Sequence, residues 1–143
     1  MKVTSRWYSD RVGREVSLVR WGEVGAPVLL FPTAGGDAEE VERFHLIDAV
    51  GPLLAANRIK VYSADSVAGR VWLTQEGSAA HRCRILNQYQ DFVRHEVVPA
   101  IRMDCRSADL PILATGSSIG AFNALAVLCR YPDLFTRAVC MSG

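Results

Sequence analysis

Histidine is scarce in this sequence. His45, His81 and His95 are the only three, and none follows His95. The four cysteines, Cys83, Cys105, Cys129 and Cys140, form no C-x-x-C pair and have no metal-ligand spacing with the histidines. That argues against a zinc site or a disulfide framework. Four free thiols in a reducing cytoplasm are expected. Cys129 and Cys140, in apolar segments, are expected to be buried as small hydrophobes. The start, Met1-Lys2-Val3-Thr4-Ser5-Arg6-Trp7, lacks the apolar core of a secretory signal. No apolar run is long enough to span a bilayer. An excess of either charge is also missing, with 16 Lys and Arg against 15 Asp and Glu. Arg82, Arg84, Arg94, Arg102 and Arg106 form no stripe interleaved with aromatics. Neither nucleic acid nor a membrane surface is therefore expected as a partner.

What remains is a chain of 143 residues, half of them hydrophobic and 22% charged, which reads as one soluble domain over 1–143. A hairpin opens it. Residues 6–9 and 14–21 flank Asp10-Arg11-Val12-Gly13, and the second arm alternates apolar and polar. Val28-Leu29-Leu30-Phe31 is a continuous apolar run, as in a strand buried on both faces of a parallel sheet. Residues 39–56 read as a helix whose first turn, with Glu39, Glu40 and Glu42, faces solvent. Residues 59–64 form a strand, followed by a loop through Gly77. The clearest amphipathic helix spans 80–103, with Ile85, Tyr89, Phe92, Val93, Val97 and Ile101 on one face and a kink at Pro99. A strand over 110–115, a helix over 121–128 and a last strand over 137–141 complete the chain. This alternation predicts an α/β fold, a mainly parallel sheet with helices on both faces.

Between the last two strands lies Gly116-Ser117-Ser118-Ile119-Gly120, a G-x-S-x-G run with a strand before it and a helix after it. A serine on such a strained strand-to-helix turn is a nucleophile elbow, and the positions two before and two after it must be small. Ser118 is the candidate nucleophile. The Ile119 N–H, at the helix start, is a natural oxyanion donor. A second donor is expected from Thr33-Ala34-Gly35-Gly36, with Ala34 the choice. Thr33, Asp65 and Trp72 are candidate substrate-binding residues, although Asp65 also reads as a loop-ordering carboxylate and Trp72 equally as packing. Ser118, Thr33-Ala34 and Asp65-Ser66 all sit just past strand C-termini, where reactive sites of such sheets lie. An upstream histidine is a poor base for Ser118: His45 and His95 fall within helices, and His81 is the least implausible. Anion binding at the same turn lacks the G-x-G-x-x-G pattern or the lysine of a phosphate loop.

Four blocks of this sequence resemble the esterase branch of the α/β-hydrolases, the group of esterase D and the mycolyltransferases. They are Leu29-Leu30-Phe31-Pro32-Thr33-Ala34-Gly35-Gly36, Ala64-Asp65-Ser66 with Trp72 beyond, Gly116-Ser117-Ser118-Ile119-Gly120-Ala121-Phe122, and Tyr131-Pro132-Asp133-Leu134-Phe135 leading to Met141-Ser142-Gly143. The resemblance implies an α/β-hydrolase fold and hydrolysis of a small-molecule carboxylic ester through an acyl-serine, with no metal or cofactor. It also implies an acid and then a histidine downstream of the serine. Only Asp133 follows Ser118 in a comparable role, in what looks like a helix-end turn, so the fold is expected to stop short of the family's last strands and helices. Residues 138–141 would then be a bare apolar edge strand, so the chain is expected to be either a fragment or an oligomer, with a second copy or another chain protecting that edge. The competing expectation is a catalytically inactive module of the same fold, used for binding or assembly.

Overall fold

The computed structural model describes residues 1–143, with the side chains of Arg70 and Trp72 outside the description. A hairpin of β1 (Lys2–Ser9) and β2 (Arg14–Trp21) is followed by β3 (Ala26–Phe31). Three short helical turns come next, α1 (Glu40–Arg43), α2 (Leu46–Ala49) and α3 (Gly51–Ala55), and then β4 (Ile59–Ala64). α4 (Val67–Thr74) precedes α5 (Ala79–Phe92), which runs through a π-helical turn (Val93–Val97) into α6 (Val98–Asp104). β5 (Ile112–Ser117), α7 (Ile119–Arg130) and β6 (Phe135–Met141) end the chain.

The six strands form one sheet in the order β1-β2-β4-β3-β5-β6. β1, β2 and β4 pair antiparallel, whereas β4, β3, β5 and β6 run parallel. Alternation along the central strands divides the core, because successive side chains point to opposite faces. Leu29 and Phe31 pack with Tyr89, Phe92, Val97, Ile101, Ala124 and Val127 on the face covered by α5, α6 and α7. Val28 and Leu30 pack with Val41 and Ile47 on the face covered by α1 and α2. Helices therefore cover both faces, as expected.

Several local expectations are corrected. Residues 39–56 are not one helix, because His45 sits at φ 62° and breaks the run between α1 and α2. The expected loop before Gly77 contains α4. The irregularity attributed to Pro99 lies one turn earlier. A proline ring crowds the carbonyl four residues back and donates no N–H, and the turn before it widens to π geometry. Cys129 and Cys140 are exposed rather than buried.

The π turn carries Glu96, whose carboxylate accepts from Trp7 Nε1 (2.8 Å), Ser9 Oγ (2.8 Å) and Arg11 (3.2 Å), pinning the hairpin to the long helix. Burial pushes the Glu96 carboxyl up, but these hydrogen bonds and the Arg11 charge outweigh it and hold it below the ordinary glutamate value. A carboxyl lowered on folding contributes stability above its unfolded pKa, near 4.3, and loses it as pH falls through the folded value. The urea midpoint is therefore expected to fall more steeply between about pH 5 and about pH 3 in the native protein than in Glu96→Gln. Equal slopes would mean that Glu96 does not couple the hairpin to pH.

Candidate active site

β5 ends at Ser117, and α7 starts at Ile119, so the whole reversal falls on Ser118. Its backbone has φ 57° and ψ −125°. A non-glycine residue there stores strain of about 1–3 kcal/mol and persists only where its surroundings fix it. They do so here. The Ser118 N–H donates to Met141 O (3.0 Å), and its carbonyl accepts from Ala121 N–H (3.0 Å) and Phe122 N–H (3.3 Å). The residue itself is exposed. Backbone tied and side chain free is the arrangement a nucleophile needs.

The flanking glycines are demanded by space. A Cβ on Gly116 would lie 2.4 Å from the carbonyl carbon of Gly120. A Cβ on Gly120 would lie 2.5 Å from Phe31 O and 2.9 Å from Pro32 O. That second approach seats the start of α7 on the end of β3, and the register pairs Phe31 with Gly116. The loop after β3 thus begins beside the Ser118 turn. From below, Gly69 of α4 supports it, with room for a Cβ only 3.0 Å from Ala34 Cα and 3.1 Å from Gly35 N. Among the described residues, neither the Ala34 N–H nor the Ile119 N–H has a hydrogen-bond acceptor.

The other candidate residues are placed differently. The Thr33 N–H donates to Glu40 Oε2 (2.9 Å), and the Thr33 hydroxyl donates to Glu40 Oε1. Asp65 accepts from the Ser17 N–H (2.9 Å) and the Ala38 N–H (2.9 Å), so both its oxygens order backbone. The expectation for Trp72 lies outside the described residues. Among the described residues no histidine is hydrogen-bonded to Ser118: His45 pairs with exposed Asp48, His81 stands beside Gly77, and His95 is exposed on the π turn. Asp133 pairs with Arg94 on the surface. Among the described residues no group of three or more His, Cys, Asp and Glu could hold a metal ion. A cleft of about 710 Å³ is lined by residues that include Arg94, Arg102, Met103, Arg106 and Leu134, and Ser118 is not among them.

Glu40 corrects the sequence reading. Expected in solvent with Glu39 and Glu42, it is 5% exposed and holds Thr33. The signal was present in the spacing: a glutamate four residues after Gly36 can reach back over it, and a Cβ on Gly36 would meet Glu40 Oε2 at 1.7 Å.

Residues 74–143 match the family model described as "Putative esterase". The chain has an α/β-hydrolase fold. The same fold is shared with solved structures over nearly the whole chain. A ferulic acid esterase is 16% identical, with a TM-score of 0.69 over 96% of this chain and 58% of its own. Enterochelin esterase from Shigella flexneri is 17% identical, with a TM-score of 0.70 over 99% of this chain and 36% of its own. S-formylglutathione hydrolase from Staphylococcus aureus is 12% identical, with a TM-score of 0.70 over 97% of this chain and 57% of its own. The chain thus spans between about a third and three fifths of these esterase-fold proteins. No curated protein matches it in sequence.

Proposed function

We propose that this chain carries the nucleophile of a serine carboxylesterase acting on small-molecule esters. Ser118 Oγ attacks the ester carbonyl carbon, and its proton passes to a histidine outside residues 1–143. The carbonyl oxygen, now an oxyanion, is received by the N–H groups of Ile119 and Ala34. The alcohol leaves with the proton, and water then hydrolyses the acyl-Ser118 ester. The observation that carries this reading is the Ser118 backbone, held at φ 57° by three hydrogen bonds while the residue stays exposed. Three exposed free thiols fit a reducing compartment, and we place the protein in the cytoplasm. Among the described residues no helix is long and apolar enough to cross a membrane.

Incubating the full-length protein with p-nitrophenyl acetate at low pH and mapping its peptides by mass spectrometry is expected to find the acetyl group on Ser118. Turnover with the acetyl group trapped on another residue would sink the assignment.

An assembly role is favoured by β6. Among the described residues it pairs only with β5, and Val139 and Met141 on it are 53% and 38% exposed. An unpaired apolar edge recruits another strand, and a second copy is our choice of partner. Sedimentation of residues 1–143 is expected to give a dimer that Val139→Lys dissociates. A monodisperse wild-type monomer would remove the second copy from the proposal.

A further inference from the structure

Resting on the esterase reading, we infer that Glu40 is a positioning residue that aims the Ala34 N–H at the reacting oxygen. A carboxylate opening a short helix is ordinarily left in water, since burying its charge costs several kcal/mol unless hydrogen bonds replace the solvent. Glu40 is buried, and both its oxygens are used on one residue, accepting from the Thr33 N–H and the Thr33 hydroxyl. These two bonds fix Thr33 at its backbone nitrogen and at its side chain.

The peptide joining Thr33 to Ala34 is held from its other side. Its carbonyl, that of Thr33, accepts from the Gly36 N–H at 3.0 Å. In a trans peptide the C=O and the following N–H point in opposite directions within one plane, and the described residues contain no cis peptide bond. Fixing the Thr33 carbonyl therefore fixes the direction of the Ala34 N–H, which points away from Gly36 with no acceptor of its own among the described residues. The tie between the Ser66 N–H and Gly36 O (2.9 Å) anchors the far end of the loop. Gly36 serves the same device, because any side chain there would collide with the Glu40 carboxylate. Without Glu40, the loop keeps its Gly36 turn but loses the two bonds that orient that turn against β3. A donor displaced by about 1 Å costs on the order of 10²-fold in rate.

Two readouts test this, one independent of activity. In Glu40→Ala, amide hydrogen exchange at Thr33–Gly36 is expected to rise at least about tenfold, with the α5 and β5 amides unchanged. In the full-length enzyme, kcat for p-nitrophenyl acetate is expected to fall about 10²-fold, with KM changed by less than about threefold. Glu40→Gln keeps an oxygen for the Thr33 N–H and is expected to recover kcat to within about tenfold of wild type. Should Glu40→Ala not fold, Thr33→Val, which removes only the hydroxyl donor, carries the same comparison. Wild-type exchange and kcat in Glu40→Ala, or in Thr33→Val in its place, would overturn the inference. If Ser118→Ala retained activity, the esterase reading would fall, while the exchange data would still decide whether Glu40 holds the loop. If Ser118→Ala were dead and Glu40→Ala fully active, only the role of Glu40 would fall.

Discussion

Ser118→Ala in the full-length protein is expected to lower kcat for p-nitrophenyl acetate on the order of 10⁴-fold or more, with KM little changed. In the proposed mechanism the hydroxyl oxygen makes the covalent intermediate, and the donors left behind supply only the residual catalysis of an oxyanion site. The fold is expected to survive. Alanine keeps the Cβ at φ 57°, and the hydrogen bonds to Met141, Ala121 and Phe122 all use Ser118 backbone groups. The urea midpoint should therefore correspond to a change within about 0.5 kcal/mol. Ser118→Gly separates strain from chemistry. Glycine reaches positive φ freely, so this variant is expected to be as inactive as alanine yet more stable by about 1 kcal/mol. An enzyme that keeps its rate in Ser118→Ala would have its nucleophile elsewhere.

The second large effect is on stability. Gly120 lies in the first turn of α7, where helix propensity alone favours alanine by about 0.8–1 kcal/mol. Packing acts the other way. The added Cβ would sit 2.5 Å from Phe31 O and 2.9 Å from Pro32 O, both backbone atoms at the end of a central strand. Neither atom can move without shifting β3, so overpacking of about 3 kcal/mol or more outweighs the propensity gain. Urea unfolding of Gly120→Ala is expected to show that loss, with the rate falling as well, because α7 would be pushed off the loop that carries Ala34. A midpoint equal to or above wild type would mean that α7 does not seat on β3 as described.

Much of this architecture is legible in the residues. The apolar run 28–31, the stripe from Ile85 to Ile101 and the glycines around Ser118 are strong local signals whose physical cause is the one found in the structure: burial on two faces, burial on one stripe, and a turn without room for side chains. Illegible features depend on tertiary contact. The 39–56 segment keeps helical spacing through Leu46, Ile47 and Val50, so nothing in its periodicity marks the reversal at His45. α4 is short and abuts the loop after β3 through Gly69, a residue that reads as a helix breaker until Ala34 and Gly35 are seen against it. Glu40 stands in a run of acids that looks solvated, and only the return of the chain past Thr33 shows which of them turns inward. Cys129 and Cys140 have apolar neighbours in sequence, but one lies on the outer surface of α7 and the other on the edge strand.

The bond from the Ser118 N–H to Met141 O makes the last residue of β6 a strut under the proposed nucleophile. Fraying of that strand releases the one donor bond of a backbone that otherwise relaxes toward negative φ. A contact that held the outer side of β6 would therefore hold the Ser118 backbone as well, which ties the firmness of that strand to the geometry of this turn.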